Sequence, residues 1–428
     1  MKKVLILTVT AGNGHNACAQ VMKNKLEKMG DCEVKVIDYL KSFSNRPSVW
    51  VVDKGYNIAV SKFRHVYNFF YNYFLGLDPD RRFHCPAQGV ARSGMSGLLR
   101  EIYTFQPDVI YCTHFYPAMA ITNLRLAYDI PAKVVVASLD YVNSPFWEAC
   151  IGVDFLTLPN QDFAPDCERR GFLPVQLLPY GIPIDEKFFC QIDKAQARQM
   201  VGLKDDVFTI LVMFGGGSWS GGYKNFCDLI KACKGRNVQI IVINGKDHRA
   251  FKKVAKKHIP QGISVLNVGF TKDVEKYMAA SDVLVSKAGG ALSTEAISMG
   301  LPLLVTRKVP GQEIYNFKYL RDKGVASSFK NAKQLRKLLD DLIDDSEKLL
   351  GGREKCAALQ RNATAQLSQL LLSQPQATYP ENCLQTDFAK VKKNVRKAVR
   401  RIDELEKINH KTIKREQNYI QEKGERKI

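Results

Sequence analysis

The chain has 428 residues, 45% hydrophobic and 25% charged, with 63 Lys and Arg against 43 Asp and Glu for a formal net charge of +20. That length exceeds one ordinary core, so two domains are expected, and the composition excludes a disordered or fibrous chain. The basic excess favours an anionic contact (nucleic acid, a membrane surface or phosphate-bearing substrates), while eleven cysteines without a CxxC pair argue against a disulfide framework or a zinc site.

Met1–Ala11 begins basic and apolar but breaks into Gly12-Asn13-Gly14-His15 without a small-x-small cleavage pattern. No export signal is therefore expected, and the protein is read as cytoplasmic. No apolar run reaches the roughly 18 residues of a spanning helix, so membrane contact is expected to be peripheral. Val4–Val9 has the length and apolar run of a strand, and Asn16–Met29 follows with Ala19, Met22, Leu26 and Met29 on one helical stripe. Val34–Ile37, Val109–Cys112, Val134–Ala137 and Phe155–Leu158 are further strands, the start of a doubly wound sheet.

The same pattern begins again at Phe208–Phe214 and continues through Val238–Ile243, Val265–Val268, Val283–Val285 and Leu303–Val305. Prolines and a glycine in Pro179–Pro183 mark the joint. The expected division is an N-terminal Rossmann-like domain over 1–180, a second over 181–373, and a linker with a basic tail over 374–428. Within the tail, Asp387–Ile428 carries fourteen Lys/Arg against seven Asp/Glu. Phe388, Val391, Val395, Ala398, Ile402 and Leu405 form one apolar stripe there, which suits either a solvated helix or a membrane-surface helix.

Five segments carry candidate binding or catalytic residues. Gly12, Asn13 and Gly14 close the first strand where free N–H groups attract oxygen anions, and His15 stands where the helix dipole favours a neutral, proton-accepting imidazole. In Ser286–Ala296, Lys287 and the turn Gly289-Gly290 lead into a helix whose start suits a diphosphate, with Ser293 and Thr294 as hydroxyl donors and Glu295 as a ribose acceptor. Gly215, Gly216, Gly217 and Ser218 form a comparable turn after the first strand of the second domain. Gln312, Glu313 and Asn316 follow a strand and a proline turn, and their side chains suit a hydroxyl-rich sugar. Between Trp50 and Phe74, aromatics including Phe63, Tyr67, Phe69 and Phe70 alternate with Lys and Arg, a mixture suited to lipid headgroups, to single-stranded nucleic acid or to an internal helix pair.

Taken in order, several motifs resemble the diacylglycerol glycosyltransferases, both bacterial glucosyltransferases and plant monogalactosyldiacylglycerol synthases. They are Thr10–Asn16, Ser138–Tyr141 with Pro145-Phe146-Trp147, Tyr180–Pro183, Asn267–Phe270, Lys287–Glu295 and Val309–Glu313. The resemblance implies a GT-B fold, an inverting reaction without a metal or other cofactor, and transfer of glucose or galactose from its UDP-sugar to diacylglycerol at the inner face of the cell membrane. It implies His15 or Asp140 as general base, the main chain near Phe270 on uracil, Glu295 on ribose, and Gln312 with Glu313 on the sugar. The aromatic segment would meet an anionic membrane surface, and nucleic acid is not expected as a partner. Relatives usually have Thr at Leu139, His at Ser144 and Pro at Ala288, so the acceptor side departs from the pattern. Alternatives from the residues are a polyprenyl-linked or soluble acceptor, a UDP-sugar epimerase, and a UDP-sugar sensor without catalysis.

Overall fold

The computed structural model describes residues 1–10, 14–55, 58–59, 63–75, 87–190, 192–213, 222–306, 311–402 and 404. Runs such as Val238–Ile243, apolar but for Gln239 and buried at every position, are what a strand covered on both faces requires. Six strands build the first sheet: β1 (Lys2–Thr8), β2 (Cys32–Asp38), β3 (Val109–Cys112), β4 (Lys133–Ala137), β5 (Phe155–Thr157) and β6 (Leu177–Leu178). All pair in parallel, in the order β2-β1-β3-β4-β5-β6. The second sheet holds β7 (Phe208–Met213), β8 (Val238–Ile243), β9 (Ile263–Val268), β10 (Val283–Ser286), β11 (Leu303–Val305) and β12 (Ala326–Ser328). It too is parallel, in the order β12-β11-β10-β7-β8-β9. The sequence did not reveal β6 and β12, which are too short to show a periodicity.

Strand order reverses between β1 and β3 in the first sheet and between β7 and β10 in the second. In open parallel sheets the crevice at such a reversal, outside the carboxyl ends of the strands, is where ligands bind. The three glycine-containing turns that the sequence singles out follow β1, β7 and β10, strands at these reversals.

The helices that shape the site are α1 (Gly14–Met29), α2 (Arg64–Leu75), α3 (Phe115–Leu124), α4 (Gly290–Ser298), α5 (Gln312–Asp322), α6 (Ala363–Ser373) and α7 (391–402). Helix α1 meets both α4 and α6. One apolar cluster passes from domain to domain through Met22 and Leu26, Ala296 and Ile297, and Leu367 and Leu371.

The C-terminal part packs back on the first domain. Helix α6, expected in the second domain, lies along α1 of the first. The stretch expected as a linker is tied down: Ala377 N–H donates to Asp108 across 2.8 Å, and the Tyr379 hydroxyl donates to the Pro107 carbonyl across 2.8 Å. Helix α7 buries Val391, Val395 and Val399 in the core of the first domain and exposes Lys393, Arg396, Lys397, Arg400 and Arg401. Burying such a side chain stabilises by about 1.5–3 kcal/mol, so the stripe docks on the protein instead of standing free. Leu405 lies outside the described residues. Among the described residues no helix is long and apolar enough to cross a membrane, and the described cysteines are free thiols.

Candidate functional site at the domain interface

On the N-terminal side, the ends of β1 and β3 meet the start of α1. The Thr113 hydroxyl donates to Thr8, Thr8 donates to the Asn16 side-chain oxygen, and the Asn16 amide donates to Thr10, at 3.0, 2.9 and 3.0 Å. This chain of hydroxyls fixes the first turn of α1 and with it His15. The His15 Nδ1 lies 2.6 Å from the Thr113 carbonyl oxygen, which accepts only, so Nδ1 carries the proton and Nε2 has a free lone pair. Burial lowers the His15 pKa, partly opposed by the Thr113 bond. The sequence points to the helix dipole as the cause of a neutral His15; the structure adds burial. Gly14 has open space where a Cβ would stand, while Gly12 and Asn13 lie outside the described residues.

His114 caps α3, its Nδ1 accepting from the Tyr116 N–H across 3.2 Å, which leaves its proton on Nε2. Its ring stands edge-on to His15 with centroids 4.6 Å apart. Burial, and then the neighbouring His15, hold its pKa well below the ordinary imidazole value. Two neutral imidazoles thus sit side by side.

Opposite them, the turn after β10 delivers the N-terminus of α4. Gly289 caps it with open space around its Cα. Gly290 has none: an added Cβ would stand 1.8 Å from the Leu139 carbonyl oxygen, so the backbones of the two domains touch here. Asp140 follows directly. Its Oδ1 accepts from the Asn316 amide across 2.7 Å, and the Gly290 backbone N–H also donates to its carboxylate. Burial pushes the Asp140 pKa up to about 6, with Asn316, Lys287 and Gly290 opposing and Glu313 adding to the rise. Lys287 Nζ pairs with Glu313 Oε1 at 2.7 Å, leaving Glu313 Oε2 and Asn316 Oδ1 buried without a partner among the described residues. Unsatisfied buried acceptors beside a helix N-terminus suit a ligand that brings hydroxyl donors.

The remaining donor-side residues divide. Ser293 and Thr294 are buried. Thr294 donates its hydroxyl to the Gly290 carbonyl and accepts from the Tyr141 hydroxyl at 2.9 Å, so it serves domain contact; the Ser293 hydroxyl has no partner among the described residues. Glu295 falls in the second turn of α4, not the first, and burial pushes its carboxyl up to about 8, opposed by Lys187 and reinforced by Asp185. Phe270 lies just past β9 with 62% of its surface exposed, the Lys246 ammonium 5.4 Å above its ring. Gln312 and Glu313 open α5. Gly215, Gly216, Gly217 and Ser218 lie outside the described residues.

Residues 15–184 match the family described as monogalactosyldiacylglycerol (MGDG) synthase, and residues 206–366 match glycosyl transferases group 1. A processive diacylglycerol beta-glucosyltransferase of Staphylococcus aureus (strain Newman) is 28% identical over 349 residues, covering 81% of this chain and 86% of the relative. Over most of its length the chain is similar to diacylglycerol glycosyltransferases.

Among solved structures, Acinetobacter baumannii MurG aligns with a TM-score of 0.60 at 14% identity, covering 87% of this chain and 99% of that one. The S. aureus MnaA–UDP co-structure aligns with a TM-score of 0.55 at 14% identity, covering 88% and 100%. With the two parallel sheets, the MurG likeness makes the fold of this chain GT-B. Sequence reasoning about the enzyme gave no role to His114 or Tyr141. His114 belongs to no spaced motif, though its place at the end of β3, beside the strand reversal, was a usable signal. Tyr141 stands in a quoted motif, but its stacking on Tyr319, centroids 5.4 Å apart, becomes visible only with both domains in place.

The aromatic segment also divides. Trp50, Phe63, Phe69 and Phe70 are exposed, with Phe69 at 66%. Tyr67 is not among them: it is half-buried, against Gly311 of the second domain.

Proposed function

We propose that this enzyme transfers glucose or galactose from the UDP-sugar to the hydroxyl of diacylglycerol, with inversion and without a metal, on the cytoplasmic face of an anionic membrane. The supporting observation is the position of Asp140, a proton acceptor of one domain set against the first turn of α4 in the other. Direct displacement needs this adjacency: a base for the attacking hydroxyl on one side, a cradle for the departing diphosphate on the other.

In this reaction the diacylglycerol oxygen attacks the anomeric carbon and its proton passes to His15 Nε2 or to Asp140. The bond from the anomeric carbon to the diphosphate oxygen breaks, and UDP leaves with the electron pair. The N–H groups and dipole at the start of α4 balance the charge that develops on the diphosphate. Glu295 accepts from the ribose hydroxyls, the backbone near Phe270 reads the uracil, and Gln312 with Glu313 holds the hexose. Exposed Trp50, Phe63, Phe69 and Phe70, with the positive net charge, suit contact with anionic lipid.

Incubating the protein with UDP-glucose or UDP-galactose and diacylglycerol vesicles, then weighing the lipids by mass spectrometry, tests the proposal. The expected product is diacylglycerol bearing one or more hexoses. Release of UDP with no glycolipid from either donor would refute the acceptor assignment.

A further inference from the structure

Helix α2 has two unlike faces. Val66, Phe69, Phe70 and Tyr73 point outward, with Phe63 just ahead of the helix, and all are exposed. The other face reaches the second domain and touches α5 at its start and again one turn in. Tyr67 closes over Gly311, where an added Cβ would stand 2.8 Å from its ring. Asn72 Oδ1 accepts from the Tyr315 hydroxyl across 2.7 Å, and the Tyr71 ring lies 6.0 Å from that of Tyr315. Gly311 has φ of +85°, a backbone setting that other residues resist, and the next two residues are Gln312 and Glu313. One helix of the N-terminal domain therefore presents apolar bulk to the outside and grips the segment that begins α5.

We propose that α2 couples lipid contact to the donor site, so that a bilayer seated on its outer face holds α5, through Tyr315 and Gly311, in the position that binds the hexose of the UDP-sugar. This rests on the membrane and UDP-sugar assignments above. Tyr67, Asn72 and Tyr315 are positioning residues: they act on the hexose through the placement of Gln312 and Glu313. The physical reason is differential stability. A bilayer that covers the outer face favours arrangements in which α2 is ordered, and an ordered α2 carries its inner contacts to α5 with it. Binding free energies at the two surfaces are then linked, and linkage is reciprocal.

The test uses the full chain, vesicles of phosphatidylcholine and phosphatidylglycerol lacking diacylglycerol, and UDP-glucose, UDP-galactose and UDP as ligands. Donor affinity is measured by calorimetry with and without vesicles, and vesicle affinity by flotation with and without donor. The wild-type protein is expected to bind its UDP-hexose at least about fivefold more tightly on vesicles, and vesicles more tightly by the same factor with donor present. UDP, which lacks the hexose, shows a smaller gain. Tyr315→Phe and Asn72→Ala float with vesicles as wild type does and bind UDP as wild type does in solution, yet lose most of the gain. Wild-type binding of donor and of vesicles with no mutual effect overturns the coupling and leaves the proposed function standing. A gain that persists undiminished in both variants overturns it as well. Failure of the wild type to bind vesicles, or any UDP-hexose, removes the proposed function and the coupling together.

Discussion

Asn316 of the C-terminal domain donates its side-chain amide to the carboxylate of Asp140 in the N-terminal domain, across 2.7 Å. Burial raises the Asp140 pKa, and this hydrogen bond is the largest single effect holding it down, at about 6. A bond to the charged form favours that form. Removing it in Asn316→Ala moves the pKa upward, so ionised Asp140 appears only at higher pH. If Asp140 takes the proton, activity falls as pH drops through about 6 in the wild type. The same decline begins at higher pH in Asn316→Ala. A pH–rate profile checks both, and coincident acid limbs in the two proteins would exclude Asp140 as the titrating base.

His15 donates through Nδ1 to the Thr113 carbonyl and keeps Nε2 free. His15→Ala removes that acceptor without touching the donor-side residues. Loss of a general base costs about 100-fold or more in turnover, so kcat is expected to fall by that much while UDP affinity, read by calorimetry, stays unchanged. A variant with full turnover takes His15 out of the proton path. Burial holds the His15 pKa below the ordinary imidazole value.

Glu295 has its carboxyl pushed up to about 8 by burial and is mostly protonated at pH 7. Ribose hydroxyls that donate to it favour the charged form and lower this pKa. UDP binding near pH 7.5 is therefore expected to release a fraction of a proton, and UDP affinity to increase with rising pH through this range. Calorimetry in buffers of different ionisation enthalpy measures the proton count. Glu295→Gln should bind more weakly and release none; an identical proton count in the variant would show that Glu295 does not meet the ribose.

Gly290 lies directly beneath the Leu139 carbonyl, 1.8 Å from where a Cβ would be. That neighbour is backbone, so Gly290→Ala forces the domains apart at the point where Asp140 meets α4. Displacements on the order of 1 Å at a reacting centre cost about 100-fold in rate. The expected variant is folded by circular dichroism, with kcat reduced by that order and little change in thermal midpoint. Wild-type turnover would mean that the closed contact is not part of the catalytic state.

The sheets were legible because buried parallel strands are continuous apolar runs that need no knowledge of their partners. Val238–Ile243 and Val109–Cys112 begin and end where the pattern says they should. The glycine turn before α4 was legible for a similar reason, since strand, Gly-Gly and helix are consecutive. What escaped depends on contacts distant in sequence. The stripe Val391, Val395 and Val399 announces a buried face, but periodicity names no partner, and the partner is the first domain. Tyr67 shares its composition with the exposed aromatics around it, yet Gly311, far along the chain, claims it. Asp140 was singled out by motif alone; its raised pKa arises from a burial that only the facing domain completes.

The most direct measurement is the anomeric configuration of the lipid product made from an α-linked UDP-hexose, read from proton NMR couplings while UDP release is counted. Displacement where Asp140 meets α4 gives a β-hexosyl diacylglycerol, with one UDP freed for each hexose added. An α-linked product, or UDP freed without a glycolipid, would contradict it.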